Sequence, residues 1–203
     1  MAMASLSSFL ASILLVFLFI TPSFSRLSNT VNETADDKSV VNKVCSKAKN
    51  PSMCLQILPH DGTLQVLAKS AVSSGYDYAQ DTIVNVIDAA NNGTDRKLKK
   101  KYSSCLTNMN TASAAVAKAK KQVRSGVFCG LGSAAETAKA EADKCIYLFK
   151  GQPTDPFYIL REIKSFEDIY IDIIRIISTM LKNVQTYISS KDSQQIQFTS
   201  YGR

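Results

Sequence analysis

Residues 98–124 read LKKKYSSCLTNMNTASAAVAKAKKQVR. Their apolar positions are Leu98, Tyr102, Cys105, Met109, Ala112, Val116, Ala119 and Val123, separated by alternating steps of four and three. A seam that returns about every 3.5 residues belongs to a helix meeting its neighbours at a shallow angle, as in a bundle. Thr94 stands in front of the segment as an N-cap. Asn91-Asn92-Gly93 is a stop signal for whatever precedes it.

Three further helical segments flank this one. The segment over about 63–90 carries Leu64, Leu67, Ala71, Val72, Tyr78, Ala79, Ile83, Val86, Ile87 and Ala90, mostly three or four apart. The segment over about 127–149 has the seam Leu131, Ala134, Ala138, Ala142, Cys145 and Phe149, rich in alanine and therefore suited to close approach. Ser133 with Glu136 forms a candidate capping box that would delay its start. The last segment opens on Asp155-Pro156, an N-cap followed by proline at the first helical position. Its stripe is Ile159, Ile163, Phe166, Tyr170, Ile173, Ile177, Met180, Val184 and Ile188. Glu162, Glu167, Asp168 and Asp172 are read as solvated charges opposite that stripe. The polar tail after Ser189 is expected to be mobile.

In front of these lie two short amphipathic pieces. Val40, Val41 and Val44 mark a helix ending near Lys49, and Asn50-Pro51 turns the chain. A second helix over Ser52–Leu58 ends at Pro59. The expected fold is therefore all-α. An up-down-up-down four-helix bundle over about 63–189 follows an N-terminal, disulfide-bridged helical hairpin over about 36–58.

Residues 1–25 stand apart. Phe9–Ile20 is an unbroken apolar run, too short for a bilayer, which needs roughly 20 residues. Pro22 breaks any helix, and Ser23 and Ser25 are small enough for cleavage after Ser25. The stretch reads as a signal peptide, leaving residues 26–203 as the mature domain. The protein is expected to be secreted to the apoplast or cell wall, with the vacuole as the alternative destination, and to be a monomer with no membrane association once processed. Asn32-Glu33-Thr34 and Asn92-Gly93-Thr94 are glycosylation sequons, while Asn50-Pro51-Ser52 is excluded by its proline. The formal charge is +7. Nucleic acid is not an expected partner for a secreted chain without aromatic–basic interleaving. The densest basic cluster, Lys97-Leu98-Lys99-Lys100-Lys101, is read as a solvated helix face.

The five cysteines are Cys45, Cys54, Cys105, Cys129 and Cys145. Spacing alone leaves their pairing open, but helix geometry narrows it. Cys45 and Cys54 lie on the two arms of the hairpin, and a bridge there is worth roughly 2.7 kcal/mol in the chain-entropy model. Cys105 and Cys145 lie in the seams of adjacent antiparallel segments. They come to the same height if the third segment starts near Val127, at about 1.5 Å per residue. A bridge there is worth roughly 3.9 kcal/mol. Cys129 is left over as a buried or partly buried free thiol.

Catalytic chemistry finds no footing. His60 is a lone surface histidine beside Pro59, with no nucleophile elbow anywhere in the chain. Metal-ligand spacings and a Gly-rich phosphate loop are missing. The chain is read as neither an enzyme nor a holder of cofactor or metal.

Taken together, these features resemble the plant invertase and pectin methylesterase inhibitor family. The carrying residues are Cys45-x8-Cys54 with Asn50-Pro51-Ser52-Met53 inside it and Leu58 after it, the Cys105–Cys145 spacing, and Cys145-x3-Phe149. The resemblance covers about 40–188. Departures exist: Met109 stands where the family usually has tyrosine, Ile146 and Tyr147 replace acidic residues, and Ser133-Ala134-Ala135 only loosely echoes a family stretch. Gly126-Val127-Phe128 stands where some invertase inhibitors carry Pro-Lys-Phe. The resemblance implies an inhibitor of pectin methylesterase that caps the target's cleft. Cell-wall or vacuolar invertase is the alternative target, and a non-inhibitory, allergen-like protein on the same scaffold is the third reading. Lys118, Gln122, Arg124, Glu136 and Lys139, near the corner between the second and third bundle segments, are the candidate contacts.

Overall fold

The computed structural model describes residues 37–151 and 158–200, all within one compact unit. Among them the chain is wholly helical. The hairpin consists of α1 (Asp37–Cys45) and α2 (Pro51–Ile57). Asn50 caps α2 by accepting the Met53 N–H at 3.2 Å, and Pro51 takes the first helical position, where a missing N–H costs nothing. The bundle consists of α3 (Leu64–Asn92), α4 (Arg96–Arg124), α5 (Leu131–Leu148) and a final rod. That rod comprises α6 (Ile159–Ser165), a wide π-helical turn over Phe166–Ile171, and α7 (Asp172–Ser200). Each bundle helix packs against two neighbours, α3 on α4, α4 on α5, α5 on α7 and α7 on α3, while the hairpin leans on α3 and α7.

The α4 seam is buried at Tyr102, Cys105, Met109, Ala112, Val116, Ala119 and Val123. Leu98, in its first turn, is half-buried. In α5 the buried set is Leu131, Ala135, Ala138, Ala142 and Cys145, continued by Phe149. Ala135 thus takes the place expected of Ala134, and the two antiparallel helices share one 3.5-residue repeat. In α3, Ile87 is exposed, whereas Ala68, Gly75, Thr82 and Ala89 are buried.

Several boundaries differ from expectation. Asp95, not Thr94, caps α4: its Oδ1 accepts the Lys97 N–H at 2.6 Å and the Leu98 N–H at 3.3 Å. An anion is the better cap for a helix whose first turns carry five cations. The α5 helix starts at Leu131, later than Val127, and Ser133 makes no cap. The corner 125–130 recovers the lost rise through two turns, with the Val127 N–H on the Gln122 carbonyl and the Leu131 N–H on that of Phe128. Asp155 and Pro156 lie outside the described residues, and α6 opens at Ile159 behind Tyr158, whose φ is 56°. The α7 helix continues to Ser200, past the point where a mobile tail was expected.

The largest departure is the π turn. A turn closed by i→i+5 bonds contains one residue more than an α turn. The apolar stripe therefore steps from Phe166 to Ile171 instead of Tyr170, keeps the expected Ile173 and Ile177, and widens to include Ile174, Ile176 and Leu181. Met180 ends half-buried and Val184 exposed. Isoleucines crowd this stretch, and β-branched residues hold an α-helix only weakly. Gly75 of α3 faces the turn, where a Cβ would lie 3.4 Å from Tyr170 Cβ and Ile174 Cδ1. A methyl group fits there and a larger side chain does not. Gly75→Leu is expected to destabilise the protein by about 1–3 kcal/mol through overpacking, measured by urea denaturation. Gly75→Ala should stay close to wild type.

Candidate functional site

The structure joins Cys45 to Cys54 with Cα atoms 5.4 Å apart, and Cys105 to Cys145 with Cα atoms 4.6 Å apart. All four are buried. Cys129 is a free thiol but an exposed one, contrary to expectation: it lies in the corner 125–130 between α4 and α5, outside both helices and their buried seams. His60 is exposed. Among the described residues no group of His, Cys, Asp and Glu could hold a metal ion, and no helix is long and apolar enough to cross a membrane. Asn92 is exposed at the last residue of α3. Asn32 and residues 1–25 lie outside the described residues.

The five candidate contacts do not converge. Lys118 is exposed on the outer face of α4. Gln122 is half-buried, its side chain folded over Gly130 so tightly that a Cβ at position 130 would collide with it. Arg124 turns the other way, into a depression shared with Tyr76 of α3 and with Lys120 and Lys121. There Lys120 lies 4.5 Å from the Tyr76 ring centroid and 3.0 Å from Asp77 Oδ1.

Glu136 and Lys139 face the opposite side, toward α7 and the hairpin. They line a cleft of about 140 Å³ together with Lys49, Glu167, Asp172 and Arg175. Lys139 Nζ sits 2.7 Å from Glu167 Oε1 and 2.8 Å from Asp143 Oδ2. Lys49 donates its backbone N–H to Asp172 Oδ2 at 2.9 Å and its ammonium to Asp168 Oδ1 at 2.6 Å. Arg175 Nη2 donates to Asp172 Oδ1 at 2.9 Å. Glu167 and Asp172 are 9% and 5% exposed, so they are not solvated charges. The π turn carries Glu167 and leads directly into Asp172, and both carboxylates face this junction. Lys139 is thus a strut between helices, and the cleft is the lock that seats the hairpin on the bundle. The spacing rule for an uninterrupted α-helix could not have found it.

Both lysines of the lock titrate above the ordinary lysine range. The hydrogen bond to Asp168 raises Lys49, and hydrogen bonds to Asp143 and then Glu167 raise Lys139. Burial likewise pushes up the Tyr78 and Tyr170 hydroxyls, whose rings stack at 4.6 Å beside the same turn. A group with a raised folded-state pKa stabilises the fold fully below its unfolded value and loses that contribution as pH rises through the folded one. Since unfolded lysine and tyrosine titrate near 10, these four groups keep their protons and their contribution at neutral pH, and thermal melts should fall as pH rises above about 10. Lys139→Met should flatten part of that alkaline limb. An equal limb in the variant would show that Lys139 contributes nothing to it.

A further accessible surface is the outer face of the α4–α5 pair. Ser104, Thr107, Thr111 and Ala114 of α4 and Thr137 and Ala140 of α5 are exposed there. Three of the hydroxyls are already satisfied by the carbonyl four residues back: Thr107 on Ser103 at 3.4 Å, Thr111 on Thr107 at 3.1 Å, and Thr137 on Ser133 at 2.9 Å. Short side chains with few rotamers lose little entropy on docking. The Cys105–Cys145 bridge fixes the two helices beneath this face. Sequence reasoning aimed at charged residues passed over it, although the run of Ser, Thr, Asn and Ala at 103–115 was its signal.

Residues 39–191 match the family model described as plant invertase/pectin methylesterase inhibitor. The chain is 31% identical over 180 residues to the pectinesterase inhibitor of Actinidia deliciosa, covering 86% of this chain and 94% of that protein. It is 27% identical over 146 residues to pectinesterase inhibitor 1 of Arabidopsis thaliana, covering 70% and 82%. A crystal structure of a mutant form of a pectin methylesterase inhibitor from Arabidopsis superposes with TM-score 0.62 at 25% identity, covering 69% of this chain and 95% of that one. A second pectin methylesterase inhibitor structure from Arabidopsis thaliana gives 0.56 at 27% identity, covering 71% and 97%.

Proposed function

Because the chain belongs to the plant invertase/pectin methylesterase inhibitor family, we propose that it inhibits pectin methylesterase by seating the outer α4–α5 face over the enzyme's substrate cleft. The observation that carries this reading is the 31% identity to a pectinesterase inhibitor along 94% of that protein's length. The mechanism is steric occlusion. A surface of small, pre-satisfied side chains on two pinned helices costs little entropy to dock, so its burial goes largely into affinity. Lys118 stands at the edge of the face and supplies charge for steering. Arg124 belongs to a neighbouring surface, and Gln122, Glu136 and Lys139 act within the fold. The leader reading of residues 1–25 supports export of residues 26–203 to the cell wall, where the protein acts as a monomer and carries a glycan at Asn92.

The test is a rate assay of the purified, oxidised mature chain against pectin methylesterase and cell-wall invertase, at acidic and neutral pH. Slowing of pectin methylesterase alone is the expected result. Slowing of invertase alone transfers the target, and unchanged rates for both leave only a non-inhibitory scaffold. Thr111→Arg, at the centre of the face, should weaken inhibition by at least about tenfold by placing an unmatched bulky charge in the contact. Its melting temperature should match wild type. Full inhibition by that variant places the contact elsewhere.

A further inference from the structure

The end of the bundle where α4 begins and α5 finishes carries an excess of positive charge. Residues 95–101 contain five basic residues and one acid. That acid, Asp95, turns its carboxylate inward to cap the Lys97 and Leu98 N–H groups. Lys97 and Lys100 are exposed and border an open depression at this end with Arg96. Antiparallel packing, fixed by the buried bridge and by Tyr102 against Phe149 at 5.1 Å, brings the end of α5 alongside. Lys101 then lies 5.9 Å from the Phe149 ring and Lys150 the same distance from that of Tyr147, which is 71% exposed. None of Lys97, Lys100, Lys101 and Lys150 has a carboxylate partner among the described residues. The nearby Glu141 is already held by Lys144 at 2.7 Å.

We propose that this end of the bundle binds the free carboxylates of an anionic cell-wall polysaccharide, the polyuronate left when pectin loses its methyl esters. The choice of polysaccharide rests on the function proposed above, since hydrolysis of pectin methyl esters creates those carboxylates where the target works. The charge supplies affinity that salt screens. The exposed Tyr147 ring supplies a flat apolar face for a sugar ring. Residues 97–101 are therefore a binding surface, beyond the merely solvated helix face that their spacing suggested.

The experiment is chromatography of the mature chain, made without N-glycans, on immobilised polygalacturonate and on immobilised highly methyl-esterified pectin. Wild type should be retained on the first at low salt, released as salt rises, and pass through the second. Lys97→Glu/Lys100→Glu should bind at least about tenfold more weakly. Glu at position 97 places an acid in the first turn of α4, which favours the helix, and Lys100 is exposed, so this variant keeps its fold. Lys69→Glu/Lys182→Glu makes the same change in net charge on α3 and α7 and should be retained as wild type is. Equal loss in both variants, no retention of wild type, or equal retention on both resins would each overturn the assignment. So would capture by anionic phospholipid vesicles without capture by polygalacturonate. Complex formation with pectin methylesterase, followed by size exclusion without pectin, is scored separately. Its failure would remove the inhibitor reading while leaving the polysaccharide result standing.

Discussion

Replacing Cys105 and Cys145 together by alanine should lower stability by about 4 kcal/mol, the chain-entropy value for a loop of some 40 residues. In a chain of this size that corresponds to a fall of roughly 8–16 °C in melting temperature. Alanine is the right probe, because both sulfurs are fully buried and serine would add an unsatisfied hydroxyl. The variant should still inhibit at low temperature, since both seams remain apolar, but lose inhibition at a lower temperature than wild type. A drop below about 3 °C would mean that packing alone holds the pair in register.

Phe166→Ala is the second large effect. Phe166 opens the π turn and is completely buried. Truncation removes a ring from a site that the rigid bundle can refill only in part, at a cost of about 3–5 kcal/mol. The consequence should reach beyond stability. Glu167, one residue on, holds Lys139, and Asp172 holds the backbone of Lys49. Hydrogen exchange should therefore show the hairpin loop at 46–50 losing protection before α4 and α5 do. Simultaneous loss throughout the molecule would show that the turn does not govern the hairpin independently.

The sequence was most legible where one physical rule acts alone. The α4 seam repeats without interruption, so helix, face and neighbours followed from spacing. The cysteine pairs fell on adjacent segments for the same reason. Legibility failed where two rules compete. Asp95 outbids Thr94 because capping and charge act together at a basic helix start. The rod from Ile159 to Ser200 was read with a single period, but its isoleucine-rich middle takes one extra residue into a wide turn. Glu167 and Asp172, expected on the surface, lie in the junction at that turn, where Glu167 holds Lys139 as a strut. For another reason, the face proposed for docking was not singled out. Its short, uncharged side chains have no chemistry to advertise, and their value lies in costing little to immobilise.

The burial of the four bridged cysteines has a further consequence. Thiol–disulfide exchange needs a thiolate to reach a sulfur along its bond axis. Cys129, the unpaired cysteine, is exposed in the corner 125–130, whereas the paired sulfurs are enclosed by helices. Neither Cys129 nor an external reductant can reach them until the bundle opens. The native pairing is thus protected kinetically by the fold it helps to hold. An oxidant arriving at the intact molecule meets Cys129 first and leaves both staples untouched.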